Sequence, residues 1–330
     1  MFSFNKIPDK INVELSIFQL TKFSIISLTL VSPNLVASKA IAGNLDNTAS
    51  FTGRINYTVT GGTLRSNPDD IDPCSLNSTS TASLSNVPNT QAIRQAYLYW
   101  SGSGESIDSQ INFGGSELTA DKTFTTSFFL SDPTLGDDDY YFFQGVKDVT
   151  DIVKQQGNGN YQLSNLTVDN SALYCNFSVV LAGWSLVVVY EDSAIPADKV
   201  NTLKLYDGLE VSRNQTVNYT LSGIEVASDP IAKFSMLVWE GDQSLGGTTE
   251  SFAFNNNTLT DTYNPLQNQF NSSINTNQSL NIYGVDFDTF DASSYVSEGD
   301  SSITGTITTG DDLVLQGAAL MLVTNTVFAD

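Results

Sequence analysis

Residues 175–192 read CNFSVVLAGWSLVVVYED. The run is almost wholly apolar, and its centre, Gly183-Trp184-Ser185, opens like the elbow that carries the serine of G-x-S-x-G hydrolases. That elbow needs a second glycine two residues after the serine, and Val187 stands there instead. The chain contains no histidine, so no imidazole could take the Ser185 proton. What remains is Val180 with Leu186 to Val189, β-formers whose near-continuous apolarity suits a strand covered on both faces. Gly183 would mark a bulge or bend, and Trp184 a large core side chain. The stretch is architecture.

Its surroundings agree. Charged residues make up 15% of the 330-residue chain, and polarity comes instead from Ser, Thr and Asn, with 23 glycines. That mixture suits short strands joined by turns. Ile55, Tyr57 and Val59 alternate with polar residues, as Tyr97 and Tyr99 alternate with Leu98 and Trp100. One helical period, Val146, Val149, Ile152 and Val153, predicts a short helix near 147–155, ended by Gly157-Asn158-Gly159.

The chain also repeats itself. LSNVPNTQAIRQAYLYWSGS (84–103) and LSGIEVASDPIAKFSMLVWEGD (221–242) share Leu-Ser, a turn, an apolar strand and Trp-x-Gly. INFGGSELT (111–119) matches FAFNNNTLT (252–260), and GVKDVT (145–150) faces GVDFDT (284–289). All anchors are separated by about 140 residues, as duplication of one module requires. The opening stretch then corresponds to DLVLQGAALMLVTNTV, the last strand of the second copy. The expected fold is all-β: two tandem antiparallel β-sandwich modules, jelly-roll-like, covering 43–195 and 196–330.

The N-terminus reads as an export signal over residues 1–42. Lys6, Lys10 and Lys22 precede the apolar FSIISLTLV (23–31), and small residues follow in ASKAIAG (37–43), placing cleavage near 40–42. The apolar segment is too short, and too broken by Pro33 and Asn34, for a membrane span, and none is expected in the mature chain. Export fits the two cysteines, Cys74 and Cys175, an even number in a chain bound for an oxidising compartment. Their disulfide would close a loop of about 100 residues, worth on the order of 4–5 kcal/mol in the chain-entropy model.

Net charge is −22, which repels a phosphate backbone, so nucleic acid is not an expected partner. The lack of histidine also removes Cys-His catalysis and imidazole zinc sites. Carboxylates survive as chemistry, and three clusters stand out: Asp69, Asp70 and Asp72; Asp137, Asp138 and Asp139; and Asp286, Asp288 and Asp291. Calcium takes six to eight hard oxygen ligands, and such loops could supply them, although none matches an EF-hand. Asp286, Asp288 and Asp291 are the metal candidates, and a structural calcium ion is the cofactor they would hold. Tyr140 to Phe143 could pack inside or present rings to a sugar. Nine N-x-[ST] sequons, among them Asn56, Asn165, Asn176 and Asn218, read as surface positions.

AYLYWSG (96–102), DVTDIV (148–153) with GNGNY (157–161), AGWSLVVVYED (182–192), LYDG (205–208) and GVDFDTFDAS (284–293) together resemble a known family. It comprises exported bacterial surface modules found ahead of repeat domains in large adhesin-like proteins. The resemblance runs from about residue 51 to the C-terminus. It implies a β-rich extracellular module with a role in the envelope or in attachment, and it supplies no catalytic residues. The expected function is therefore a secreted, non-enzymatic surface or matrix protein, acting in adhesion or as an assembly subunit through a glycan or its own copies. A sugar-binding lectin or two-carboxylate glycosidase is the alternative.

Overall fold

The computed structural model describes residues 41–42, 45–69, 71–132, 136–243 and 250–326. The expected signal segment lies outside them apart from its last two residues. The first half contains β1 (Ile41–Ala42), β2 (Asp46–Gly53), β3 (Ile55–Thr63), β4 (Thr79–Leu84), β5 (Ile93–Ser103), β6 (Gln110–Phe113), β7 (Ser116–Thr119), β8 (Lys122–Asp132), β9 (Gly136–Asp148), β10 (Gly159–Ser164) and β11 (Ala182–Glu191). The second contains β12 (Lys199–Ser212), β13 (Thr216–Ser222), β14 (Ala232–Trp239), β15 (Ser251–Phe254), β16 (Asn257–Leu259), β17 (Val285–Asp291), β18 (Ser302–Thr308) and β19 (Val314–Thr326).

The strands form four sheets, and the duplication is written in their order. β3-β11-β5-β9 in the first half matches β12-β19-β14-β17 in the second, and β4-β10-β6-β7 matches β13-β18-β15-β16. The matching hairpins turn on Gly114-Gly115 and on Asn255-Asn256, all four with positive φ, as two-residue hairpin turns require. Pairing is antiparallel except for β1, which runs parallel to β13. Three strands lie outside the repeat: β1 adds to the outer second-half sheet beside β13, β8 extends the first large sheet beside β9, and β2 joins the second beside β12. Residues 46–53 thus lie in the first half of the sequence but pair within the second copy's large sheet.

Three apolar layers separate the sheets. Trp100, Trp184 and Leu186 pack against Phe113, Tyr161 and Leu163 of the outer first-half sheet. Phe234, Met321 and Val323 pack against Phe252, Phe254 and Ile307 of the outer second-half sheet. Between them Tyr57, Val187 and Val189 meet Leu205, Phe287 and Leu320, so the two large sheets share one core. β11 therefore has neighbours on both faces, with Trp184, Leu186 and Val188 turned one way and Val187 and Val189 the other. Ser185 is fully buried there.

Four local readings change. Gly183 is not a bulge: it pairs in register with Thr63 and Ser101, and the register slips instead between Val189 and Tyr190. Glycine is required because a Cβ would lie 2.3 Å from Val285 of the facing sheet. The helix is α1 (Thr150–Gln156), since Lys147 and Asp148 belong to β9 and Val149 stands at the N-cap. Residues 172–176 form a second short helix, α2 (Ala172–Asn176), so the apolar stretch that begins at Cys175 opens in a helix and not in a strand. Asn56 is no surface sequon but a buried residue of β3. Of the aromatic run, Tyr140, Phe142 and Phe143 are buried and Tyr141 is partly exposed.

Cys74 and Cys175 are disulfide-bonded, tying the loop after β3 to α2. Among the described residues no helix is long and apolar enough to cross a membrane.

Candidate cation site

The turn closing β14 reads Trp239-Glu240-Gly241-Asp242. Glu240 has φ +73°, a left-handed conformation that a residue with a side chain holds only where its surroundings impose it. Its N–H donates to Gly284 O at 2.9 Å, folding the turn back across the start of β17. The Asp242 N–H donates to Asp312 Oδ2 at 3.2 Å, tying the turn to the β18–β19 loop. Glu240, Asp242 and Asp312 thereby bring carboxylate oxygens within 4.8 Å of one another. Their exposures are only 4%, 8% and 1%.

Further acids surround the trio. The loop held by the Cys74–Cys175 bridge carries Asp69, which stands beside Asp242. Arg65 of the same loop is buried, with Nη2 2.5 Å from Asp69 Oδ1 and with Nε and Nη1 making no hydrogen bond. It is the cation that acts on both Glu240 and Asp242. Asp286 Oδ1 accepts the Ser273 N–H at 2.9 Å, and its Oδ2 lies against the turn, where a Cβ on Gly241 would come within 2.1 Å. Asp288 accepts the Asn275 N–H at 2.9 Å. Glu250 Oε2 accepts the N–H groups of Gln269 and Phe270 at 3.2 and 3.3 Å.

The electrostatics follow from burial. Glu240 Oε1, Glu250 Oε1 and Asp286 Oδ2 have no hydrogen-bond partner, each a cost of about 1–3 kcal/mol. Burial first, then the neighbouring Asp69 and Asp312, pushes Asp242 up to about 10. Glu240, Asp286 and Asp312 are raised by burial and by like charges. Burial lifts Glu250 and Asp288 to about 7. One guanidinium cannot neutralise so many carboxylates. Near neutral pH they keep their protons or hold a cation. Two oxygens on opposite sides of one calcium ion stand about 5 Å apart, and the three carboxylates here lie within that reach of one another.

The structure brings Asp286 and Asp288 together beside this cluster but leaves Asp291 out. Odd and even positions of β17 face opposite ways, and the exposed Asp291 carboxylate accepts from the Ser293 N–H and hydroxyl. Asp69 joins the cluster, Asp72 accepts the Cys74 N–H, and Asp70 lies outside the described residues. Asp137, Asp138 and Asp139 are exposed on β9. Glu240, Asp242 and Asp312 escape sequence reasoning because some 70 residues separate the turn from its third member. Their one signal was the contrast of WEGD with WSGS at matching places in the repeat.

No protein-family model matches the chain, and no curated protein does. Solved structures give distant likenesses. A beta-porphyranase of glycoside hydrolase family 86 from the human gut bacterium Bacteroides plebeius is 11% identical at a TM-score of 0.25, over 76% of this chain and 33% of that one. The chain thus spans about a third of that protein's length. PNGase F, a glycosylasparaginase from Flavobacterium meningosepticum, is 9% identical at a TM-score of 0.21, over 82% of this chain and 96% of that one.

Proposed function

We propose that the chain is an exported, non-enzymatic surface or matrix module, acting in adhesion or as an assembly subunit, whose second sandwich is locked by calcium held on Glu240, Asp242 and Asp312. The observation that carries the reading is the burial of these three carboxylates together, with Glu240 Oε1 unpaired inside the group. Enclosed ligands of this kind rigidify a fold. The disulfide supports an oxidising destination. Cleavage after Ala40 would retain the Ile41–Ala42 pairing with β13, and N-terminal sequencing of the exported protein locates the cut.

The test pairs calorimetric calcium titration of the EDTA-treated protein with glycan-array binding and polysaccharide hydrolysis. Calcium uptake lost in Glu240→Gln, with no turnover, supports the reading. Absence of uptake removes the ion, and turnover abolished by a single Asp or Glu substitution replaces the non-enzymatic module with a glycosidase.

A further inference from the structure

At the other end of the shared core, Asn56 of β3 has its carboxamide held on both sides. Lys233 Nζ donates to Oδ1 at 2.8 Å, and Nδ2 donates to Asp192 Oδ2 at 3.0 Å. A second donor, the Tyr57 N–H, also reaches Oδ1 at 3.0 Å. Lys233 belongs to β14 in the opposite large sheet, and its ammonium lies 5.5 Å from the Tyr57 ring centroid. Asp291 faces it across the β14–β17 ladder. Asn56 is 8% exposed, and Lys233 and Asp192 are half-buried.

An amine at a polarised amide carbonyl, with a carboxylate on the departing nitrogen, is the arrangement that acyl transfer needs. We infer that Lys233 and Asn56 form an isopeptide bond autocatalytically, with Asp192 as the proton shuttle, linking the two inner sheets covalently. The neutral Lys233 amine adds to Asn56 Cγ, and the Tyr57 N–H holds the oxygen as it becomes negative. Asp192 receives a proton from the attacking nitrogen and passes it to Nδ2. The Cγ–Nδ2 bond breaks, ammonia leaves, and an Nζ–Cγ amide remains. Nothing is oxidised or reduced, and no co-reactant is consumed. Burial lowers the Lys233 pKa, which enlarges the fraction of free amine. The step is independent of the calcium site and uses none of its residues.

Intact-mass spectrometry of the purified full chain reads the reaction directly. The expected mass is about 17 Da, one ammonia, below that of the disulfide-bonded sequence, and proteolysis releases one branched peptide joining the segments of Asn56 and Lys233. Lys233→Arg and Asn56→Ala restore the unlinked mass while circular dichroism reports a folded protein, and Asp192→Ala leaves linkage incomplete. A folded wild-type chain at full mass after incubation at pH 8 overturns the inference. So does a loss of about 17 Da that persists in Lys233→Arg, because an asparagine can cyclise at Asn158-Gly159 with the same mass change.

Discussion

The two copies of the module end the same strand in different ways. The first reads Trp100-Ser101-Gly102-Ser103 and the second Trp239-Glu240-Gly241-Asp242. Both tryptophans are fully buried, and Ser101 and Ser103 are as enclosed as the acids that match them. The serines satisfy themselves within the backbone, donating to Phe143 O at 2.6 Å and to Asp169 O at 2.7 Å. The acids do not, for Glu240 Oε1 has no partner. The same turn is thus a finished structural joint in one copy and an incomplete polar site in the other. A buried charge costs far more than a buried hydroxyl, so the second copy carries a burden that the first shows to be unnecessary for the fold. That excess is what the proposed calcium would offset.

The largest expected effects test whether the copies are equally built. Trp100→Ala and Trp239→Ala should each destabilise by about 3–5 kcal/mol in denaturant melts. Trp239→Ala should cost more, since it strands the buried Gln144 Oε1 that accepts from Nε1 at 2.7 Å. Trp100 donates to the half-buried Asp108 carbonyl, which water can reach. Equal losses would erase the asymmetry.

Next comes pH. Glu250, at about 7 in the folded chain against an ordinary 4.5, binds its proton more tightly folded than unfolded. Its contribution is complete below about pH 4.5 and is lost as pH rises through about 7, to a ceiling of about 3 kcal/mol. In EDTA the melting temperature should therefore fall from pH 5 to pH 8, and Glu250→Gln should flatten part of that slope. A melting temperature that rises over this interval contradicts the assignment.

Calcium at a hundredfold excess over its Kd should add about 2.7 kcal/mol, or roughly 5–10 °C in melting temperature. The double change Glu240→Ser, Asp242→Ser, which gives the second copy the first copy's turn, should abolish that shift and raise the melting temperature measured in EDTA. The smallest effect belongs to the first copy: Ser101→Ala should cost about 1 kcal/mol, one buried hydrogen bond, whether or not calcium is present.

The apolar period along the chain already specified strands, because alternation and β-branching are local properties. It also specified the repeat, whose anchors are visible as strings, and the Cys74–Cys175 bridge, which was expected from an even cysteine count and the export signal read at the N-terminus. Strand order, however, places β2 in the second copy's sheet, and only hydrogen bonding between distant segments decides that. The apolar signal failed at Cys175 and Asn176, where α2 binds the disulfide loop instead of extending β11. Gly183 was legible as a special position, but its reason, the closeness of Val285, belongs to a facing sheet about 100 residues away in sequence.

Composition and periodicity by themselves determined an acidic, duplicated all-β chain without imidazole chemistry. Tertiary structure alone decided that Glu240, Asp242 and Asp312 meet, that Asp291 does not join them, and that Lys233 finds Asn56. Local patterns record which face of a strand is dry, since burial repeats with the period of the backbone. They carry no record of which dry face meets which, and both candidate chemistries of this protein lie where separate faces come together.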